Sequence, residues 1–288
     1  MTEYADRTWS SKDGLKLHFR DYPGRDDRPP VLCLPGLTRN ARDFSGVASR
    51  IAGEWRVLCP DLRGRGDSDY AKDAASYNPL QYVEDITLLL GEQGITRFVA
   101  IGTSLGGLMT MVLAMMDAGR IAGAAINDIG PVLERAGLDR IREYVGQGRS
   151  FPTWMHAARA LEEVHGPVFP DNQTADWLNM AKRVMTMSST GRIVFDYDMK
   201  IAEPLVEADP DAPQPDLWPG VDALAGRPVL LVRGGLSLLL SQATFEEMAR
   251  RLPGADVVTV PRVGHAPTRD EPEAVAGIAR LLERVAAG

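Results

Sequence analysis

Five consecutive residues, Gly102-Thr103-Ser104-Leu105-Gly106, carry the pattern in this chain that most directly implies chemistry. A run of β-prone apolar residues, 98–101, leads into them, and Leu108, Met111, Val112 and Met115 follow at helical spacing. A serine on a tight strand-to-helix turn projects its hydroxyl from a strained backbone, and its neighbours must be small to avoid the adjacent chain. The helix behind it aims its positive end at the place where an oxyanion would form. The chemistry this predicts is nucleophilic attack by Ser104. A serine hydroxyl needs a base to take its proton. Of the four histidines, His265 lies in a loop just after a predicted strand, in Val263-Gly264-His265-Ala266-Pro267. His18 falls in an outer hairpin strand, and His156 and His165 fall in a stretch without strands.

These residues need a scaffold. Residues 7–22 read as a hairpin turning at Asp13-Gly14. Short buried strands follow at 31–34, 57–59, 98–101, 121–126, 228–232 and 257–260. Helical patterns lie between them: Phe44 to Ile51, a helix opened by Asn78-Pro79, the helix after Ser104, and one over 243–252. A last helix begins near Asp270, with Glu273 completing a capping-box-like pair. Strand–helix alternation with apolar strands argues a mostly parallel sheet covered on both faces. In such a sheet ligands bind beyond the carboxyl ends of the strands. Leu37, Ser104, Asp128 and His265 all follow predicted strands at that edge.

The rhythm breaks over 132–218. That stretch is rich in Met and Trp (Trp154, Met155, Trp177, Met180, Met185, Met187, Met199) and reads as short helices without strands, ending in a proline-rich loop over 209–219. Its large apolar residues are read mainly as a small core of their own, with an adaptable roof over a pocket as the functional alternative. The expected organisation is a core from 1–131 and 219–288, with 132–218 inserted as a lid.

Composition narrows the classes. The 288 residues are 44% hydrophobic and 25% charged, ordinary for a soluble globule, and 32 basic against 39 acidic side chains leave a net charge of −7. With no long basic run, nucleic-acid binding is not expected. No apolar leader or spanning stretch is read, so the expectation is a cytoplasmic protein without membrane attachment. Cys33 and Cys59 fall inside predicted strands and are expected as buried free thiols. The histidines form no ligand-spaced cluster, so no metal is expected.

Taken together, Pro35-Gly36-Leu37, Asp61-Leu62-Arg63-Gly64-Arg65-Gly66-Asp67-Ser68, the elbow at 102–106 and Gly264-His265 resemble the α/β-hydrolase superfamily, in particular its lidded esterase-like and lactonase-like members, over almost the full length. The resemblance implies the α/β-hydrolase fold, Ser104 as nucleophile, His265 as base, and an oxyanion hole from the backbone N–H groups of Leu37 and Leu105. Many relatives have His-Gly at Pro35-Gly36, a change the backbone donor survives. A second departure is larger. The family's acid usually lies in the loop after the strand at 229–232, and Leu238 occupies its position, inside an exposed-looking Leu238-Leu239-Leu240 run. Three readings stand: the acid has moved to Asp128, after the strand that follows the elbow helix; it is lost, leaving an impaired enzyme; or the chain is no longer an enzyme. For Asp128 the alternative is a turn former. Arg63 and Arg65 are read as loop-bracing ion-pair partners rather than substrate clamps, Asp67 as structural, and Asp270 as a helix cap. The function expected is hydrolysis of a small apolar carboxylic ester or lactone through an acyl-enzyme on Ser104, without a cofactor. The alternatives are a carbon–carbon bond hydrolase of β-diketone type and a non-catalytic small-ligand-binding protein.

Overall fold

The computed structural model describes residues 3–209 and 212–288. A hairpin of β1 (Ala5–Ser10) and β2 (Lys16–Tyr22) opens the chain, followed by β3 (Val31–Leu34), α1 (Ser45–Ile51), β4 (Val57–Pro60), α2 (Pro79–Glu92), β5 (Phe98–Thr103), α3 (Leu105–Asp117) and β6 (Ile121–Asn127). Then come α4 (Arg135–Tyr144), β7 (Ser150–Phe151), α5 (Trp154–His165), α6 (Thr174–Val184), β8 (Met185–Met187), β9 (Ile193–Phe195), α7 (Glu203–Glu207) and α8 (Trp218–Asp222). The chain closes with β10 (Val229–Gly234), α9 (Gln242–Arg251), β11 (Asp256–Val260) and α10 (Pro272–Ala287).

Eight strands form one sheet in the order β1-β2-β4-β3-β5-β6-β10-β11. The β1–β2 and β2–β4 pairings are antiparallel and the rest parallel. The strands alternate between two cores. Leu32, Leu34, Leu58 and Ala100 face a layer containing α2 and α3, while Val31, Cys33, Val57, Cys59, Val99 and Ile101 face α1 and α10. This is why the strands read as continuous apolar runs rather than alternating ones. Asn78 caps α2 by accepting from the Gln81 N–H, with Pro79 in its first turn, as the sequence predicts. Cys33 and Cys59 are buried free thiols, and burial, reinforced by the neighbouring Cys33, pushes the Cys59 thiol well up.

Four expectations are corrected. The segment between β6 and β10 is not strandless: β7, β9 and β8 form a small antiparallel sheet. Strands of two or three residues are too short to show alternation. The same segment has its own apolar cluster, built on Phe151, Leu161, Phe169, Trp177, Met185 and Ile193, but Met155 and Met187 are exposed. The loop expected over 209–219 includes residues 210 and 211, outside the described residues, and the chain is already helical at Trp218. Asp270 does not cap the last helix. Glu271 occupies that position, and the Asp270 carboxylate accepts from Arg50 and Arg183 at 2.9 and 2.6 Å. In the leucine run only Leu238 is exposed, while Leu239 and Leu240 are buried in the core. Among the described residues no helix is long and apolar enough to cross a membrane.

Candidate active site

Ser104 sits between β5 and α3 with φ 52° and ψ −117°. For a residue with a Cβ this left-handed backbone costs on the order of 1–3 kcal/mol, and the surroundings must hold it there. They do so by close approach: a Cβ on Gly102 would collide with the Gly106 carbonyl, and one on Gly106 with the Leu34 carbonyl. The two glycines are therefore required by contact between β3, β5 and α3. The Ser104 N–H donates to the Asn127 carbonyl at 3.0 Å, tying the turn to the end of β6.

At that end Asp128 also has positive φ, 54°, and is fully buried. Its Oδ1 accepts from the Gly234 N–H and its Oδ2 from the Ser237 hydroxyl, each at 2.8 Å. His265 completes the arrangement: Nδ1 lies 2.7 Å from Asp128 Oδ2 and Nε2 lies 2.8 Å from Ser104 Oγ. A carboxylate only accepts, so Nδ1 carries the proton and Nε2 is left to accept the Ser104 proton. The loop bearing His265 is anchored to the strand ends. The Asn127 amide donates to the Pro267 carbonyl at 2.8 Å, and Arg269 donates to Thr103 Oγ1 at 2.6 Å and to Asp43 at 2.8 Å.

Leu105 is the first residue of α3, so its N–H has no partner within the helix and lies at the positive helix end. Leu37 lies in the loop after β3, where its carbonyl accepts from Arg65 Nε at 2.9 Å. Arg65 is buried over Tyr82 and also donates to the Arg63 carbonyl and the Tyr82 hydroxyl, so it braces the loop through hydrogen bonds rather than an ion pair. Arg63 forms ion pairs with Asp85 and Asp13, and Asp67 is exposed. The chain thus brings Ser104, His265 and Asp128 into one hydrogen-bonded row, with Leu37 and Leu105 flanking the serine turn. Leu238 is half-exposed and, with His265, lines a small cleft; it takes no part in the row.

Two cavities meet here. One, of about 450 Å³, is lined by Ser104, His265 and Leu37 together with Phe169 and Met180. The other, of about 390 Å³, lies among α4, α5 and α6. Thr38, Arg39, Tyr144 and Met180 line both. Sequence reasoning missed Ser237, Arg269 and Arg39. The available signal was for Arg39, a cation three residues beyond Gly36 at the carboxyl edge of the sheet. The metal expectation meets one juxtaposition: ligand atoms of His18, Asp61 and Asp67 lie within 4.8 Å of one another. Both His18 nitrogens are already engaged, Nδ1 by Asp61 at 2.7 Å and Nε2 by Asp6 at 2.9 Å, so this group reads as bracing.

Comparison with known proteins gives the class. Residues 31–278 match the model of the alpha/beta hydrolase family, and the chain belongs to that family. A 3-hydroxybutyrate-oligomer hydrolase from Cupriavidus necator is 35% identical over 260 residues, covering 88% of each chain. A 2-(acetamidomethylene)succinate hydrolase from Mesorhizobium japonicum is 25% identical over 250 residues, covering 85% of this chain and 84% of that protein. Among solved structures, an alpha/beta hydrolase from Novosphingobium aromaticivorans has 62% identity and a TM-score of 0.95, with 99% of both chains covered.

Proposed function

We propose that this alpha/beta hydrolase is a serine hydrolase that cleaves a carboxylic ester or lactone through an acyl-enzyme on Ser104. The observation that carries the reading is the unbroken row Ser104 Oγ, His265 Nε2, His265 Nδ1, Asp128 Oδ2, with links of 2.8 and 2.7 Å. Ser104 Oγ attacks the ester carbonyl while His265 Nε2 takes its proton, and the oxyanion is held by the Leu37 and Leu105 N–H groups. The tetrahedral intermediate collapses, the leaving alcohol receives the proton from Nε2, and the acyl group stays on Oγ. Water then attacks the acyl carbon, giving its proton to Nε2, and Ser104 leaves reprotonated with release of the acid. Asp128 holds the imidazole tautomer and stabilises its charged form. Of the three readings of the missing acid, this geometry supports relocation to Asp128. Residues 132–218 act as a cap roofing the site with Tyr144, Phe169 and Met180. The relative that hydrolyses 3-hydroxybutyrate oligomers makes esters of short hydroxy acids the substrates to try first.

The test is intact-mass spectrometry with p-nitrophenyl butyrate, absorbance followed in parallel. The expected result is p-nitrophenolate release with a butyryl adduct on the parent and neither with Ser104→Ala. Saturable binding without adduct or product, across several esters, would overturn the reading in favour of a binding protein. Cleavage of a β-diketone alone would overturn it in favour of carbon–carbon hydrolysis.

A further inference from the structure

Arg39 stands at the junction of the two cavities. We propose that it binds a carboxylate on the substrate, holding the free acid end so that the ester bond next to that end is the one presented to Ser104. The proposal rests on the ester-hydrolase reading above and names the substrate class for it: esters carrying a carboxylate a few bonds from the scissile carbonyl, as at the acid terminus of a short hydroxy-acid oligomer.

Three observations carry it. The first is position. The point a Cβ on Gly36 would occupy is 3.5 Å from Arg39 Cγ and 3.7 Å from Ser104 Cβ, so the arginine stem and the nucleophile both border Gly36. Arg39 also follows Leu37 by two residues on the same loop, and its N–H donates to the Gly36 carbonyl at 3.1 Å.

The second is pairing. The neighbouring guanidiniums are committed elsewhere: Arg269 to Asp43 at 2.8 Å, Arg183 to Asp270 at 2.6 Å, and Arg140 to the Val164 carbonyl at 2.7 Å. The carboxylate nearest Arg39 is that of Asp43, 4.0 Å away and already taken by Arg269. The Arg39 side chain is 25% exposed, so it is partly desolvated without a close counter-ion.

The third is field. On the side of the second cavity the guanidiniums of Arg39, Arg140 and Arg149 outnumber one carboxylate, Glu143, whereas the cavity at Ser104 has four carboxylates, Asp43, Asp176, Asp270 and Glu271, against Arg39, Arg183 and Arg269. His165, half-buried in the lobe of the second cavity, is pushed down to about 3 by desolvation and by the charges of Arg39 and Arg140, so it adds no charge of its own. A planar guanidinium in such a place matches a carboxylate through two parallel hydrogen bonds.

The experiment compares the 3-hydroxybutyrate dimer as its free acid with the same dimer ending in a carboxamide, which is nearly isosteric and neutral. Arg39→Gln is expected to lower kcat/KM for the free acid by about 10- to 100-fold, chiefly through KM, and to leave the carboxamide dimer within about twofold. Arg39→Lys is expected to recover part of the loss. An equal loss on both dimers would overturn the proposal, because it would make Arg39 a structural member of the loop. So would a parent enzyme that does not distinguish them, or one that hydrolyses p-nitrophenyl butyrate but neither dimer. Binding calorimetry on Ser104→Ala keeps the test independent of turnover. The free acid should bind more tightly than the carboxamide, and adding Arg39→Gln should erase the difference. Equal binding of the two overturns the carboxylate site even if hydrolysis is never seen, whereas a difference removed by Arg39→Gln sustains it even if the ester-hydrolase reading fails.

Discussion

Three donors converge on one carboxylate. Asp128 accepts from the Gly234 N–H, the Ser237 hydroxyl and His265 Nδ1, and all three lie within 2.7–2.8 Å. The first two hold the carboxylate so that Oδ2 faces the imidazole. Removing the Ser237 hydroxyl leaves a buried acceptor short of a partner, at a cost of about 1–3 kcal/mol. Ser237→Ala is therefore expected to lower kcat on p-nitrophenyl butyrate by about tenfold with little change in KM. An unchanged kcat would show that Asp128 needs no such support. Leu238→Asp is the companion test. If the acid were simply missing, this substitution would raise turnover steeply. With Nδ1 already bonded to Asp128, no gain is expected, and steady-state kcat decides between the two.

At the scale of elements, much of the fold is legible because its signals are local. Asn78-Pro79 marks a helix start within two residues, and Gly102 to Gly106 compresses a strand, a strained turn and a helix into five. Gly106→Ala would drive a methyl into the Leu34 carbonyl, so it is expected to lower the melting temperature by several degrees, the effect of roughly 1–3 kcal/mol of overpacking. A melt equal to the parent's would contradict the close approach of α3 to β3. What was illegible had no local signal. The small sheet of β7, β8 and β9 rests on strands of two or three residues, and Asp270 reads as a cap until Arg50 and Arg183 arrive from distant parts of the chain.

The hairpin edge of the sheet gives a pH prediction. Burial works against charge on His18, but the hydrogen bonds to Asp61 and Asp6 and the negative charges of Asp61 and Asp67 outweigh it and raise its pKa above the ordinary 6.5. A raised histidine contributes stability that is fully present below the unfolded value and is lost as pH rises through the folded one. The melting-temperature gap between the parent and His18→Gln should therefore be widest below about pH 6.5 and shrink at higher pH. A gap independent of pH would mean that His18 is held neutral.

Across the whole molecule, the site is assembled from parts far apart in sequence. Asp128 and His265 are 137 residues apart, and their contact depends on β6, β10 and β11 lying side by side in the sheet. The carboxyl edge could be inferred from strand order in general terms, which placed Ser104, Asp128 and His265 on one side. That Asp128 rather than a residue near Leu238 meets the imidazole could not, because it depends on the packing of the 233–240 loop. The same holds for Arg39, whose importance lies in which carboxylates its neighbours have already taken. Met180 lines both cavities, with Thr38, Arg39 and Tyr144, so added bulk there takes space from both. Met180→Trp is expected to reduce kcat/KM for p-nitrophenyl octanoate by at least tenfold more than for the acetate. Equal losses would indicate that acyl chains do not cross that junction.

If Asp128 is the acid for His265, turnover should collapse in Asp128→Asn. Asparagine keeps the size of the side chain but can present an amide N–H to Nδ1, which favours the wrong imidazole tautomer. In a serine hydrolase of this kind the corresponding change costs on the order of 10⁴ in kcat. A loss of that size on p-nitrophenyl butyrate is expected, with the melting temperature largely retained. A variant that hydrolyses the ester at close to the parent rate would contradict that role for Asp128.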